Sequence, residues 1–399
     1  MNFDAFNFSP DIIAGVRALG YTTPTPIQVQ SIPPIMKGRD VIGLAQTGTG
    51  KTAAFVLPIL QRLQKSPRGR VGALIISPTR ELAEQTCEAV DELGQRTGLR
   101  SIAIYGGVNM DLQIQRLRSG IDIAVACPGR LLDHLWKGTI NLSDVEVLVI
   151  DEADRMFDMG FLPDIRSILR CLTKPRQTLL FSATMPRDIR RLVQDVLLDP
   201  VTVQIGRSAP ADTVSHALYP VKQHLKTALL MDLLYQIETE SVLVFTRTKY
   251  RAERVAQQLK GAGFKATSLQ GNLPQPRRRA ALDGFRTGSF KILVATDIAA
   301  RGIDVSGISH VINYDMPESL DAYTHRIGRT GRVDQSGDAL TLVTSADAAI
   351  VNDIERALNT KLERRTLHGF DYATPAPDGD HVRSPRRLQP RPVRKTAAC

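Results

Sequence analysis

Ala45-Gln-Thr-Gly-Thr-Gly-Lys-Thr52 lies between a short apolar run, Asp40-Val-Ile-Gly-Leu44, and an Ala/Phe/Val/Leu-rich segment from Ala53 to Leu63. Strand, glycine loop and helix in that order are the setting in which a phosphate-binding loop is credible. Gly48 and Gly50 let the backbone turn its N–H groups inward, and the following helix adds the positive end of its dipole. Lys51 reaches the outer phosphates, the Thr52 hydroxyl is placed to hold Mg²⁺, and Gln46, Thr47 and Thr49 complete the loop. The pattern ordinarily opens with Gly, and this chain has Ala45 there. The rest of the chain therefore has to supply the remainder of a nucleotide site.

A chain of 399 residues is too long for one ordinary core and suggests two domains. Its 43% hydrophobic content is that of soluble globular proteins. No apolar run approaches the ~20 residues of a membrane span, and Met1-Asn-Phe-Asp-Ala-Phe6 lacks the basic start and apolar core of a signal peptide. Cys87, Cys127, Cys171 and Cys399 show no paired spacing, so neither zinc nor a disulfide framework is indicated. A cytoplasmic protein, monomeric by default, is the expectation. The net charge of +10 favours a polyanion partner. Aromatic residues make up only 5%, with Trp136 the single tryptophan, and they are not interleaved with basic residues. Any nucleic acid should therefore be held mainly through phosphate and sugar.

The chain opens on an amphipathic helix from Pro10 to Leu19 after Ser9. Gly20-Tyr-Thr-Thr-Pro-Thr-Pro-Ile-Gln28 then reads as a stiff turn that delivers Gln28. Its amide offers a donor and an acceptor together, matching the edge of adenine, although a surface or helix-capping role is the simpler reading of one Gln alone. After the glycine loop, continuous apolar runs at Val71–Ile76, Ser101–Tyr105, Ile121–Ala126, Val145–Ile150 and Thr178–Phe181 alternate with helical stretches such as Arg80–Leu93 and Asp111–Arg118. This is the pattern of a parallel sheet buried on both faces, an α/β fold that binds ligands past its strand ends. Val145–Ile150 runs straight into Asp151-Glu-Ala-Asp154. There Asp151 is placed to hold Mg²⁺ and Glu152 to orient or deprotonate a water. Ser182-Ala-Thr184 follows the next strand, and its hydroxyls either relay between sites or cap the next helix.

Leu197–Ser215, with Pro200, Gly206 and Pro210, has no periodicity and reads as a connection, the linker proper spanning 206–215. A second alternation follows, with strands at Ser241–Phe245, Lys265–Leu269, Lys291–Ala295, His310–Asn313 and Ala339–Thr344, and no second phosphate loop. The expected division is 1–205 and 216–367 as two domains, then a disordered basic tail over 368–399. Two like-sized lobes with one loop imply a cleft site finished by the second lobe. Thr296–Asp304 and His325-Arg-Ile-Gly-Arg-Thr-Gly-Arg332 are the candidates, since Arg326, Arg329 and Arg332 at three-residue spacing suit γ-phosphate charge.

In this order the segments resemble the DEAD-box RNA helicases of superfamily 2, over roughly Phe3 to Arg332. The resemblance rests on Phe3 with Gly20–Gln28, Ala45–Thr52, Pro78-Thr-Arg-Glu-Leu-Ala-Glu-Gln85, Gly106-Gly107, Pro128-Gly129-Arg130, Asp151–Asp154 and Ser182–Thr184. In the second lobe it rests on Val244–Arg247, Gln275 with Arg278, Thr296–Asp304 and His325–Arg332. Within the family the chain looks most similar to the compact bacterial RhlE-type branch. Two departures stand out: Cys127 where Thr is usual, and Gln270-Gly271 where His-Gly is usual.

The resemblance implies two tandem RecA-like domains and RNA-stimulated ATP hydrolysis that opens short RNA duplexes locally. It assigns adenine to Phe3, Tyr21 and Gln28. The phosphates and Mg²⁺ go to Gly48, Gly50, Lys51, Thr52 and Asp151, and the attacking water to Glu152. The ribose goes to Asp304, and the γ-phosphoryl charge to Arg329 and Arg332. Ser182, Thr184 and His325 would couple the two sites. RNA would meet Pro78, Thr79, Arg80, Gly107, Pro128, Gly129, Arg130, Arg247, Gln275, Arg278 and Thr296.

Overall fold

A computed structural model describes residues 2–46, 48–205, 214–237, 240–300, 308–330 and 337–376. The first lobe contains β1 (Val41–Leu44), β2 (Ala73–Ile76), β3 (Ser101–Ile104), β4 (Ile123–Ala126), β5 (Val147–Asp151), β6 (Gln177–Ser182) and β7 (Val201–Gln204). They form one parallel sheet in the order β3-β4-β2-β5-β6-β1-β7. The sheet is buried on both faces because its strands are apolar throughout. Val147 and Val149 pack with Phe55 and Phe181 on one face, while Leu148 and Ile150 pack with Leu131 and Ile165 on the other.

The second lobe repeats the plan with β8 (Val214–Pro220), β9 (Val242–Thr246), β10 (Ala266–Leu269), β11 (Ile292–Thr296), β12 (His310–Asn313), β13 (Gly337–Val343) and β14 (Glu363–Arg364). Their order is β10-β11-β9-β12-β13-β8-β14, again parallel. Two α/β sheets in tandem are the architecture the alternation predicts.

The register places the chemistry. Leu44 pairs with Ser182 and Asp151 with Phe181, so the glycine loop, Asp151 and Ser182 emerge together at the carboxyl ends of β1, β5 and β6.

Three expectations change. The supposedly featureless stretch from Leu197 contains β7, an edge strand whose Val203 is buried in the core. The linker set at 206–215 gives up Val214 and Ser215 to β8, and the rest of it lies outside the described residues. The lobe also continues past Leu367: β14 and the Arg365 N–H, which donates to Leu218 O at 2.8 Å, extend the sheet just before that point, and beyond it Phe370 and Tyr372 pack on the core. The tail beyond 376 lies outside the described residues.

Candidate functional site

The Gly48 and Gly50 backbones are both left-handed, with φ of 85° and 89°. At Gly50 a β-carbon would also meet Gln28 Nε2 at 2.6 Å, so only glycine fits. Gln28 is buried, starting the Pro26–Met36 helix in what reads as a plain turn. Its Oε1 accepts the Thr25 N–H at 2.9 Å, and its Nε2 donates to Gly50 O at 3.1 Å. One amide thus caps the helix and ties it to the glycine loop. Lys51 is buried with Nζ donating to Ala45 O at 2.9 Å, and Thr49 Oγ1 donates to Gln46 O at 2.7 Å.

These groups face a cleft of about 590 Å³. Its walls bring together Phe3, Tyr21, Gln28, Gly48, Gly50, Lys51, Thr52, Asp151 and Glu152, with Arg286 contributed by the second lobe. The Phe3 and Tyr21 rings stack at 6.4 Å and 27°. Thr47, Asp304 and Arg332 lie outside the described residues.

Asp151 is buried beside Lys51 and accepts the Glu152 N–H at 3.0 Å. Burial, reinforced by the charge of Glu152 and opposed by Lys51, pushes its carboxyl up to about 7. Glu152 caps the next helix at φ 52°, ψ 52°, a left-handed conformation that costs a non-glycine residue ~1–3 kcal/mol and gathers at functional sites. Its carboxylate pairs with buried Arg155. Asp154 Oδ2 accepts the Ala183 N–H at 3.1 Å, the Thr184 N–H at 2.9 Å and the Thr184 hydroxyl at 3.1 Å, while Ser182 Oγ accepts the Asp154 N–H at 3.2 Å. The hydroxyls of Ser182 and Thr184 therefore join the acidic segment, Ser182 holding a first-turn N–H of the Ala153–Asp158 helix, rather than cap the helix that follows them. Burial opposes the Asp154 charge, but Lys51, the Thr184 N–H, Arg155 and His325 together hold the carboxyl below its ordinary value.

The second lobe meets the first beside this segment: Arg155 shares a small cleft with Phe245, Asp297, His325, Arg326 and Arg329. Arg326 does not serve that cleft as a free cation. Its Nε and Nη2 grip the two Asp297 oxygens at 2.6 and 2.7 Å, and Nη1 donates to Asn313 Oδ1 at 3.0 Å and Asp315 O at 2.7 Å. Arg329 is buried on the cleft wall.

The comparisons agree with this geometry. The DEAD/DEAH box helicase family matches residues 25–192, and the helicase conserved C-terminal domain matches 225–334. The DEAD-box ATP-dependent RNA helicase CshA of Bacillus subtilis (strain 168) is 41% identical over 375 residues, covering 94% of this chain and 76% of that protein. The chain belongs to the DEAD/DEAH box helicase family. RhpA of Helicobacter pylori (strain B128), also a DEAD-box ATP-dependent RNA helicase, is 40% identical, with 91% of this chain and 73% of that protein covered. S. cerevisiae Dbp5 bound to RNA and ADP BeF3 superposes with a TM-score of 0.81 at 29% identity, over 92% of this chain and 95% of that one. None of these relatives supports the narrower RhlE-type assignment.

The helicase's expected RNA residues fall at strand ends and helix starts of both lobes. Thr79 caps the Arg80–Leu93 helix through the Leu82 N–H at 3.3 Å, next to buried Pro78. Gly107 is left-handed at φ 83°, which favours glycine, and the Arg80 guanidinium packs against it. Pro128 starts the Pro128–Trp136 helix, and Gly129 is exposed on open space. Arg130 is committed internally: Nη1 donates to Val108 O at 3.2 Å and Gln113 Oε1 at 3.1 Å. Arg247 is exposed with its N–H on Asp315 Oδ2 at 2.8 Å, Thr296 is half-buried at the end of β11, and Gln275 is buried. Arg278 is turned toward the first lobe, where its Nε donates to Glu81 Oε1 at 2.7 Å.

Three partners escape the sequence reading. Asp315 bonds Arg251 at 2.6 Å and the Arg247 N–H while its carbonyl takes Arg326. An acid following the apolar run His310–Asn313 is the same signal that exposes Asp151. Arg155 and Glu81 carry no such signal, because their roles depend on which buried carboxylate or which lobe lies opposite.

Proposed function

We propose that this protein hydrolyses ATP in an RNA-stimulated manner and uses the cycle to open short RNA duplexes locally. The observation that carries this is the divided site. Adenine, phosphate and water-positioning groups line the first lobe, while Arg329 and His325 approach Arg155 from the second. Gln28, tied to Gly50, reads the base end. Lys51 leaves Ala45 O for the phosphates, and Glu152 accepts the proton of the attacking water. Arg329 meets the charge developing on the transferred phosphoryl group, which requires closed lobes. Asp154, bonded to Ser182 and Thr184 and near His325, transmits closure between the strand ends.

The hard oxygen donors Thr52 and Asp151 fit Mg²⁺, and would hold it. When bound, that ion neutralises phosphate charge. RNA is gripped through backbone contacts along both lobes, with the 2′-hydroxyl distinguishing it from DNA. A cytoplasmic monomer completes the reading; no helix among the described residues is long and apolar enough to cross a membrane.

One assay tests it: the ATPase rate with no polymer, with single-stranded RNA and with DNA. Stimulation by RNA alone is the expected result. Equal stimulation by DNA, or no hydrolysis in any arm, overturns it.

A further inference from the structure

The single tryptophan, Trp136, ends the Pro128–Trp136 helix with 76% of its surface exposed. A lone exposed apolar residue needs no explanation by itself. Three features set this one apart.

The indole stands on a fixed base. Leu131 and Leu132 are buried beneath the helix. His134, buried two residues before the ring, has Nε2 3.0 Å from Gln113 Oε1 and Nδ1 2.8 Å from Thr139 Oγ1. A rigid aromatic ring loses little conformational entropy when it is covered.

Both ends of the helix are also tied to the segment that follows Gly107. Arg130 reaches Val108 O and Gln113 at one end. At the other, Lys137 Nζ lies 3.2 Å from Met110 Sδ. The ring is thus continuous with the surface around Gly107 and Gly129 that carries the RNA-binding reading above, on which this inference rests.

The third feature is spacing. Seven helical steps from exposed Gly129 to Trp136 make nearly two full turns, so both lie on one face, about 10 Å apart along the axis at 1.5 Å each. That is about three bases stacked at ~3.4 Å along one strand.

We propose that the Trp136 indole is a stacking platform for an unpaired nucleobase of the bound RNA strand, a few nucleotides beyond the backbone contacts of the first lobe, with Lys137 at the adjoining phosphate. Every base has a face to offer, so the site is sequence-tolerant. It binds single-stranded bases, because a base inside a duplex has its faces covered by its neighbours. Continuity with the RNA surface, the lysine beside the ring and the +10 net charge favour a polyanion over an apolar protein surface. The platform would hold a strand in its opened form, a contact that scarce and scattered aromatics do not announce in the sequence.

Because Trp136 is the only tryptophan, its emission reports the site directly in the full-length protein. Six- and fourteen-nucleotide oligoadenylates are titrated in the presence of ADP-BeF3, with the RNA-stimulated ATPase followed in parallel. The longer RNA is expected to quench the emission and to shield the ring from acrylamide. Trp136→Ala should weaken binding of the fourteen-mer about tenfold more than that of the six-mer, and Trp136→Phe should restore most of the difference. Unchanged emission and shielding at RNA concentrations that saturate the ATPase overturn the platform while leaving the helicase reading intact. Failure of both RNAs to bind or to stimulate the ATPase removes that reading, and the platform with it.

Discussion

Arg278 of the second lobe directs Nε and Nη2 onto one carboxylate oxygen of Glu81 in the first, both at 2.7 Å, across 197 residues of sequence. Both side chains are more than nine-tenths buried, and Arg278 Nη1 adds a 3.1 Å bond to Gln270 O. A buried pair of this kind is sensitive to loss of one partner because the other charge is then stranded. Glu81→Arg and Arg278→Glu should each disfavour the joined lobes by about 2–5 kcal/mol. The double reversal should recover a large part of that loss. Lobe separation measured by single-molecule energy transfer with ADP-BeF3 and RNA checks this, and additive single effects with no recovery would show that the pair does not hold the lobes together.

The raised carboxyl of Asp151 has a stability signature. Its folded value, about 7, lies above the ~3.9 of an unfolded aspartate, so the folded state holds the extra proton between those limits. Wild-type stability should therefore fall as pH rises from about 4 to about 7 and level off above. Asp151→Asn removes the titration, and its advantage over wild type should grow across that window to at most about 4 kcal/mol, from 1.36 kcal/mol for each of about three pH units. Mg²⁺–nucleotide affinity should move oppositely, strengthening with pH in wild type as the carboxylate ionises. Urea unfolding at pH 5 and pH 8 decides it. A difference between the two proteins that does not change with pH contradicts the assignment.

Arg326 and Arg329 sit three residues apart on neighbouring surfaces yet should fail differently. Arg326 makes four bonds to Asp297, Asn313 and Asp315 and lies over the Phe245 ring at 5.0 Å. Lysine cannot reproduce that fork, so Arg326→Lys should lower unfolding free energy by about 2–4 kcal/mol. Arg329→Ala should lower kcat by roughly 10³ while ATP still binds. Calorimetry beside steady-state kinetics separates the two. A stable, slow Arg326 variant would place that side chain at the phosphate instead.

The repeated α/β plan and the nucleotide half of the site are legible in the sequence because they depend on local patterns. Buried parallel strands are continuously apolar, and the glycines of the loop answer to backbone angles. Asp151 is visible because an acid ends such a strand. The commitments of Arg130, Arg278 and Arg326 are not legible, since an arginine next to a glycine or a proline looks the same whether it faces phosphate or a buried carboxylate. β7 and β14 are missed for a related reason. Edge strands of four and two residues, flanked by proline or charge, lack the apolar run that marks the central ones.

Cys127 departs from the threonine that the family resemblance leads one to expect, and it occupies the cap position of the Pro128–Trp136 helix without a side-chain cap bond. Burial pushes its thiol up to about 12, so it stays protonated and is a poor acceptor for the N–H groups of the first turn. A threonine hydroxyl would accept one of them. The gain from a good cap is typically ~1 kcal/mol. Valine matches threonine in shape but lacks the hydroxyl, so the comparison of Cys127→Thr with Cys127→Val isolates the cap from packing. The threonine variant should be the more stable by about 1 kcal/mol, a rise of roughly 2–4 °C in Tm for a lobe of this size. Because Gly129 and Arg130 lie in that first turn, RNA affinity should rise with it. Equal melting temperatures for the two variants would mean that the first turn is already satisfied and that the cysteine costs the helix nothing.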